Sequence, residues 1–238
     1  MAEFRVLTVC TGNVHRSAFA AEMLRTWADW YLPAAVARDV TVTSAGTRAA
    51  AGGPMDPRLL AMLARLGSDG SAHQARQIRD STINAADLVL TATRSHRDAV
   101  LSRVPSAMRR TFTIREAGRI ADVIAPVTRH DIHMLRSLVA ALADRRHEVF
   151  QLAGEDDDIA DPEGQGEQAF ARMVRAELPA LVSFAVPVFG MPMADAEAYL
   201  AAINDPEVLG IPSRDEHRAG SFRLQRWAYR WIEGEPVE

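Results

Sequence analysis

The sequence predicts an α/β fold, three layers α/β/α with a central four-stranded parallel sheet. Three observations carry this. Four short apolar runs bounded by turn residues have the length of buried strands. Between them lie stretches with apolar residues at three- and four-residue spacing, and alternating strands and helices build a parallel sheet covered on both faces. The first strand also runs through a glycine-containing loop directly into the first helix.

In chain order, FRVLTV (4–9) reads as a buried strand ending at that loop. From Ser17 the pattern is helical, with Phe19, Met23, Leu24 and Trp27 on one face up to Pro33. VTVTSAG (40–46) is the second strand and closes in a turn. Asp56 and Pro57 form a cap and first-turn pair for the helix PRLLAMLARLG, with Gly67 as its stop. DLVLTA (87–92) is the third strand, followed by a helix over 94–103, and TFTI (111–114) is the fourth. Helices over 129–147 and 167–186 flank GEDDDIADPEGQGEQ, a loop dense in Asp, Gly and Pro. Beyond residue 190, ADAEAYLAAI reads as a helix, and RLQRWAYRWIEG carries Trp227, Tyr229 and Trp231 on a tail helix. The chain thus divides into a domain over 1–189 and a helical extension over 190–238, a candidate surface for a protein partner.

Composition narrows the function. A net charge of −4 lacks the basic footprint of a general nucleic-acid binder. A single cysteine excludes an internal disulfide and any Cys-rich zinc site. No stretch reads as a signal peptide or a membrane span, so a cytoplasmic location without membrane insertion is expected. All 27 basic residues are arginine, so a bound anion must be held by Arg, His or backbone amides. His130 and His133 stand three apart on a predicted helix, but no third ligand accompanies them. They are read as solvent-facing, and neither metal nor cofactor is expected.

The lone cysteine stands in VCTGNVHRSA, Val9 to Ala18. A loop wrapping from a strand to the first turn of a helix points several backbone N–H groups into one concavity, which binds a tetrahedral anion. Thr11, Gly12, Asn13, Val14 and His15 form that loop. Gly12 permits close approach, and Asn13 is among the few residue types that tolerate positive φ. Arg16 supplies a planar fork suited to two phosphate oxygens. Cys10 is then a nucleophile at the mouth of the cradle, and Ser17 can donate to its sulfur.

This cysteine, five residues, then Arg-Ser, between an apolar strand and a helix, resembles the phosphatase loop of the low-molecular-weight protein tyrosine phosphatase family. SAGT (44–47), PMDPR (54–58), HQARQI (73–78), ADLVLTATRSH (86–96) and DPEGQGEQAF (161–170) look like family signatures in the right order. The resemblance covers most of residues 4–186 and implies a phosphomonoester hydrolase, a protein tyrosine phosphatase in particular. It implies Cys10 as nucleophile, Arg16 as clamp on the phosphate, Ser17 as hydrogen-bond donor to the thiolate, and Asp161 as general acid and then base. Asn13, Ser44 and His73 become the network holding the loop. The implied substrates are a phosphorylated protein or a small aryl phosphate, with phosphate or another tetrahedral oxyanion as ligand. Among nearby acids, Asp156, Asp157 and Asp158 read as a solvated run, and only Asp161 precedes a proline.

The chain also departs from the family pattern. His15 stands where many members carry a second cysteine, and Ala18 where they carry proline. The aromatic residues that flank a phosphotyrosine ring are replaced by Arg48, Ala49 and Ala50 on one side, and by Glu163 and Gly164 on the other. Extra length near 27–39 and 101–150 offers helical insertions that could supply a wall or a partner surface. Two alternatives follow: an arsenate reductase drawing on an external thiol or redoxin, since one cysteine cannot run an internal disulfide relay, and a catalytically silent phosphoresidue-binding protein. A cysteine protease has no use for Arg16 or an anion cradle.

Overall fold

The computed structural model describes residues 3–127, 129–150 and 157–209. β1 (Phe4–Cys10), β2 (Val40–Gly46), β3 (Leu88–Thr91) and β4 (Thr111–Thr113) form one parallel sheet in the order β2-β1-β3-β4. Successive side chains of a strand point to opposite faces, and here both faces are buried. Phe4, Val6, Leu88, Leu90 and Phe112 belong to the larger apolar core, while Leu7, Val9, Ala45 and Val89 belong to the smaller one. That explains the continuous apolar runs: β1, β2 and β3 each feed both cores, while β4 gives Phe112 to the larger one.

Helices α1 (Arg16–Tyr31), α3 (Pro57–Arg65), α6 (Ile114–Ala121), α7 (Ile132–Phe150), α8 (Glu167–Phe189) and α9 (Met193–Ala202) supply residues to the larger core. The short α4 (Asp80–Ala85), α5 (Arg94–Arg103) and a 3-10 turn at Pro105–Arg110 close the other face. A four-residue α2 (Ala34–Ala37) precedes β2.

Several boundaries differ from the sequence reading for local reasons. The fourth strand stops at Thr113, whose side chain caps α6 in a capping box: its Oγ1 accepts from Glu116 N at 3.0 Å, and Glu116 accepts from Thr113 N at 3.2 Å. Ile114 therefore begins a helix instead of ending a strand. α7 starts at Ile132, after Asp131 accepts from Met134 N at 2.8 Å, so His130 lies outside the helix. His130 is half-buried against Gly190, where burial lowers its pKa, whereas His133 is exposed as expected. α8 continues through Pro187 and ends at Gly190, which takes the left-handed φ of 78° that suits a helix stop.

α6 and α8 touch closely because Gly118 has no side chain; a Cβ there would lie 2.7 Å from the Ala180 backbone. α9 packs back on the domain, with Tyr199 edge-on to Trp27 at 5.1 Å and its hydroxyl donating to Leu66 O. Val208 and Leu209 are also buried in the larger core. Trp227, Tyr229 and Trp231 lie outside the described residues. The insertion around α2 sits beside Val40, at the opposite end of β2 from Gly46, so it forms no wall at Cys10. Among the described residues no helix is long and apolar enough to cross a membrane.

Candidate active site

β1 is a central strand, with β2 on one side and β3 on the other. Chain connections leave in opposite directions there, and the crevice beyond the carboxyl end of such a strand is where α/β folds bind ligands. Cys10 is the last residue of β1, paired with Gly46, and its side chain is buried. The loop from Thr11 to His15 leads into α1. No side chain caps that helix and no acidic residue lies in its first turn, so its leading N–H groups remain open to an anion.

Asn13 shapes the loop. It is the one non-glycine residue with positive φ among the described residues, at 58°, and it is wholly buried. Its N–H points at Cys10 Sγ at 3.3 Å, and its Nδ2 donates to Ser17 Oγ at 3.0 Å. Its Oδ1 accepts from Arg76 N at 2.8 Å, and its carbonyl accepts from His73 Nε2 at 2.7 Å. Burial is the main cause of the lowered His73 pKa, so the neutral ring donates this bond. Ser17 Oγ lies 2.9 Å from Cys10 Sγ and 3.4 Å from Ala45 O. Ser17 also accepts from Asn13 Nδ2, so its hydroxyl links the loop side chain, the Cys10 sulfur and the β2 carbonyl.

Gly46 permits the second support. Thr47 N and Arg48 N each donate at 2.9 Å, to Cys10 O and Thr11 O. A Cβ on Gly46 would lie 2.4 Å from Thr11 O and 3.0 Å from Asn13 N. Gly46→Ala is therefore expected to cost about 1–3 kcal/mol and to weaken binding of inorganic phosphate, checked by urea unfolding and calorimetry.

Arg16 lies almost fully buried behind the loop. Nη1 donates to Ile159 O at 2.9 Å, while Nη2 donates to Asp161 Oδ2 and, at 3.4 Å, to Thr11 Oγ1. Burial alone would raise the Asp161 pKa, but the His15 side chain, the Arg16 charge and the Glu163 N–H together hold it below the ordinary value. The Asp161 loop is firmly anchored. Asp157 pairs with Arg119, Asp158 accepts from Arg94 N at 2.7 Å, and Ile159 N donates to Ala92 O at 2.9 Å. Asp157 and Asp158 are thus anchors, not the solvated run that the sequence suggested; Asp156 lies outside the described residues.

The structure brings Cys10, Arg16, Asp161, the loop residues, Ser17 and His73 together. Ser44 is buried on β2 opposite Thr8, but none of the hydrogen bonds that hold the loop comes from it. His96 was missed. Its Nε2 is 2.9 Å from Thr11 Oγ1 and its Nδ1 2.7 Å from Thr93 Oγ1. Burial, then the Arg16 charge, brings its pKa down to about 4, so a neutral ring braces the loop at neutral pH. The signal was present in ADLVLTATRSH, where Thr93 caps α5 by accepting from His96 N. A cavity of about 810 Å³ lies on the flank of α1, lined by Trp30, Arg25 and His73 among others, but neither Cys10 nor Arg16 reaches it. Among the described residues no group of three or more His, Cys, Asp or Glu is arranged to hold a metal.

Glu177, on α8, is fully buried, and among the described residues neither carboxyl oxygen has a hydrogen-bond partner. Burial raises its pKa well above the ordinary value, with the Arg16 charge opposing. A folded-state pKa above the unfolded one makes its contribution to stability greatest below the unfolded carboxyl range and loses it as pH rises through the folded value. Glu177→Gln, which has no charge to bury, is expected to flatten that loss, read as urea midpoints against pH.

The family model described as low molecular weight phosphotyrosine protein phosphatase matches residues 5–122. The match contains the loop, Ser44 and His73, while Asp161 lies beyond it. A probable low molecular weight protein-tyrosine-phosphatase, EpsP of Ralstonia solanacearum, is 36% identical over 111 residues, 47% of this chain and 70% of that protein. A protein-arginine-phosphatase of Geobacillus stearothermophilus is 34% identical over 125 residues, 52% of this chain and 78% of that one. Among solved structures, the low molecular weight protein tyrosine phosphatase from T. tengcongensis aligns with a TM-score of 0.53 at 24% identity, covering 76% of this chain and 97% of its own. Wzb of Vibrio vulnificus, in complex with benzylphosphonate, aligns at 0.53 and 20% identity, covering 77% and 97%. These two likenesses speak for the fold.

Proposed function

This chain belongs to the low molecular weight protein tyrosine phosphatase family, and from that premise we propose that it hydrolyses phosphorylated proteins or small aryl phosphates through a phosphocysteine on Cys10. The observation that carries the reading is one loop in which Cys10 Sγ lies 2.9 Å from Ser17 Oγ and accepts from Asn13 N at 3.3 Å, beside the Arg16 guanidinium and the Asp161 carboxyl.

In this reading the Cys10 sulfur attacks phosphorus, the bond from phosphorus to the ester oxygen breaks, and Asp161 gives its proton to the departing oxygen. Water then attacks phosphorus, Asp161 takes one of its protons, and the bond from sulfur to phosphorus breaks to release phosphate and the Cys10 thiolate. Arg16 and the loop amides hold the equatorial oxygens as charge develops on them. Asn13, His73 and His96 hold the loop. The chain is read as a phosphatase-like domain, 1–189, with an extension, 190–238, whose further residues could meet a protein partner. A reducing cytoplasm suits the lone thiol.

The finer identity of the substrate follows from the mouth. Arg48, Ala49 and Glu163 stand where an aromatic slot would be, which removes the apolar grip on a phosphotyrosine ring. A second reading is therefore a phosphorylated arginine, favoured by the 34% identity to a protein-arginine-phosphatase. Arsenate reduction would need a thiol from outside, because Cys10 has no cysteine partner. Phosphate release from phosphotyrosyl and phosphoarginyl versions of one peptide distinguishes the readings. Faster release from the former supports the tyrosine reading and from the latter the arginine reading, while release from neither peptide nor an aryl phosphate would overturn both.

A further inference from the structure

We propose that His15 is the positioning residue for the general acid, holding the Asp161 carboxyl toward the leaving oxygen once a phosphoryl group has drawn Arg16 away from it. The proposal rests on the phosphatase reading above.

The buried imidazole of His15 bridges two elements. Its Nε2 lies 3.6 Å from Asp56 Oδ2 at the start of α3. Its Nδ1 lies 3.5 Å from Asp161 Oδ1 and 3.5 Å from Glu163 Oε2, both on the loop before α8. The His15 and Phe170 rings meet edge to face with centroids 5.3 Å apart, and the Arg58 guanidinium covers a Phe170 face at 3.7 Å. Arg58 also binds both oxygens of Asp56, at 2.9 and 2.7 Å, which fixes the far anchor. The charged groups facing His15 are therefore Asp56, Asp161 and Glu163, with Arg16 and Arg58 next to them. A buried imidazole with carboxylates beyond both nitrogens and a phenyl ring packed against it has little room to turn.

Arg16 and His15 hold different oxygens of the same carboxyl: Arg16 takes Oδ2 and His15 faces Oδ1. Arg16 Nη1 is committed to Ile159 O, whereas Nε has no partner among the described residues and Nη2 serves Asp161. The Nε–Nη2 edge is thus the fork that two phosphate oxygens would occupy. Taking that edge releases Oδ2, the oxygen that must carry the proton to the substrate. Oδ1 keeps two holds, His15 and the Glu163 N–H at 3.3 Å. His15 keeps the acid aimed while Arg16 changes partner.

The test compares two substrates in wild type, His15→Gln, Asp161→Asn and the double variant. Phenyl phosphate needs its leaving oxygen protonated; 2,4-dinitrophenyl phosphate does not. His15→Gln is expected to lower the kcat/KM ratio of phenyl to dinitrophenyl phosphate, which reads the step in which the ester oxygen leaves, about 10-fold in wild type and not at all in the Asp161→Asn background. Asp56→Asn, which loosens the far anchor, should shift the ratio in the same direction by a smaller factor. A loss shared equally by both substrates would make His15 a structural residue only and overturn the proposal. So would a ratio that falls in the Asp161→Asn background too. Wild type inert on both substrates would instead be the failure of the phosphatase reading.

Discussion

Cys10→Ser is expected to lower kcat/KM for an aryl phosphate by roughly 10^4-fold or more, the scale seen when the nucleophile of a catalytic unit is removed. The change is nearly isosteric, so Asn13 N and Ser17 Oγ still face the replaced atom and the loop keeps its shape. Binding of inorganic phosphate should therefore survive within a few-fold while turnover disappears. Steady-state kinetics with phosphate calorimetry on the same variant separates the two. A Cys10→Ser enzyme as fast as wild type would remove the sulfur from the mechanism altogether.

The second large effect belongs to Asp161. Asp161→Ala is expected to cost about 10^2- to 10^3-fold on phenyl phosphate, in the range that proton transfer from a positioned group supplies. It also predicts a change in pH dependence. The group acts as an acid, so its protonated form is the active one, yet His15, Arg16 and the Glu163 N–H outweigh burial and hold its pKa low in the free enzyme. For phenyl phosphate, kcat/KM should therefore fall as pH rises past the Asp161 carboxyl, and this alkaline fall should be missing in the variant. An unchanged profile would assign the proton to another group. The Arg16 pairing also shows why the acid is not spoiled by its low pKa: a phosphoryl dianion that takes the Nε–Nη2 edge removes the neighbouring positive charge and adds negative charge, both of which favour the protonated carboxyl.

What the sequence revealed was the part written locally. Cys10, Asn13, Arg16 and Ser17 lie within one turn of loop and helix, and Asn13 is the residue type that its φ of 58° calls for. Asp161 was singled out only through the family resemblance; by itself, an Asp before a proline in an acidic loop reads as a turn residue. The α6 start was legible too, since Thr113 and Glu116 have capping-box spacing, but the apolar run TFTI outweighed it. Other features depend on distant partners. Asp157 and Asp158 look like a solvated run until folding brings them to Arg119 and Arg94, 38 and 64 residues away. His15 is one loop residue among several until α3 and the acid loop place Asp56 and Asp161 on either side of it. Gly46 read as part of a strand end, and only the register Cys10↔Gly46 reveals that Thr11 O leaves no room for a side chain.

A covalent phosphocysteine at Cys10 is the intermediate on which both steps depend. Asp161→Ala should collect it, because dinitrophenyl phosphate can phosphorylate the sulfur without an acid, while water needs the missing carboxylate to attack the intermediate. Acid-quenched Asp161→Ala, digested and read by mass spectrometry after mixing with dinitrophenyl phosphate, should carry one phosphate on the peptide containing Cys10. Turnover with no phosphate on that peptide, or phosphate on any other residue, would contradict it.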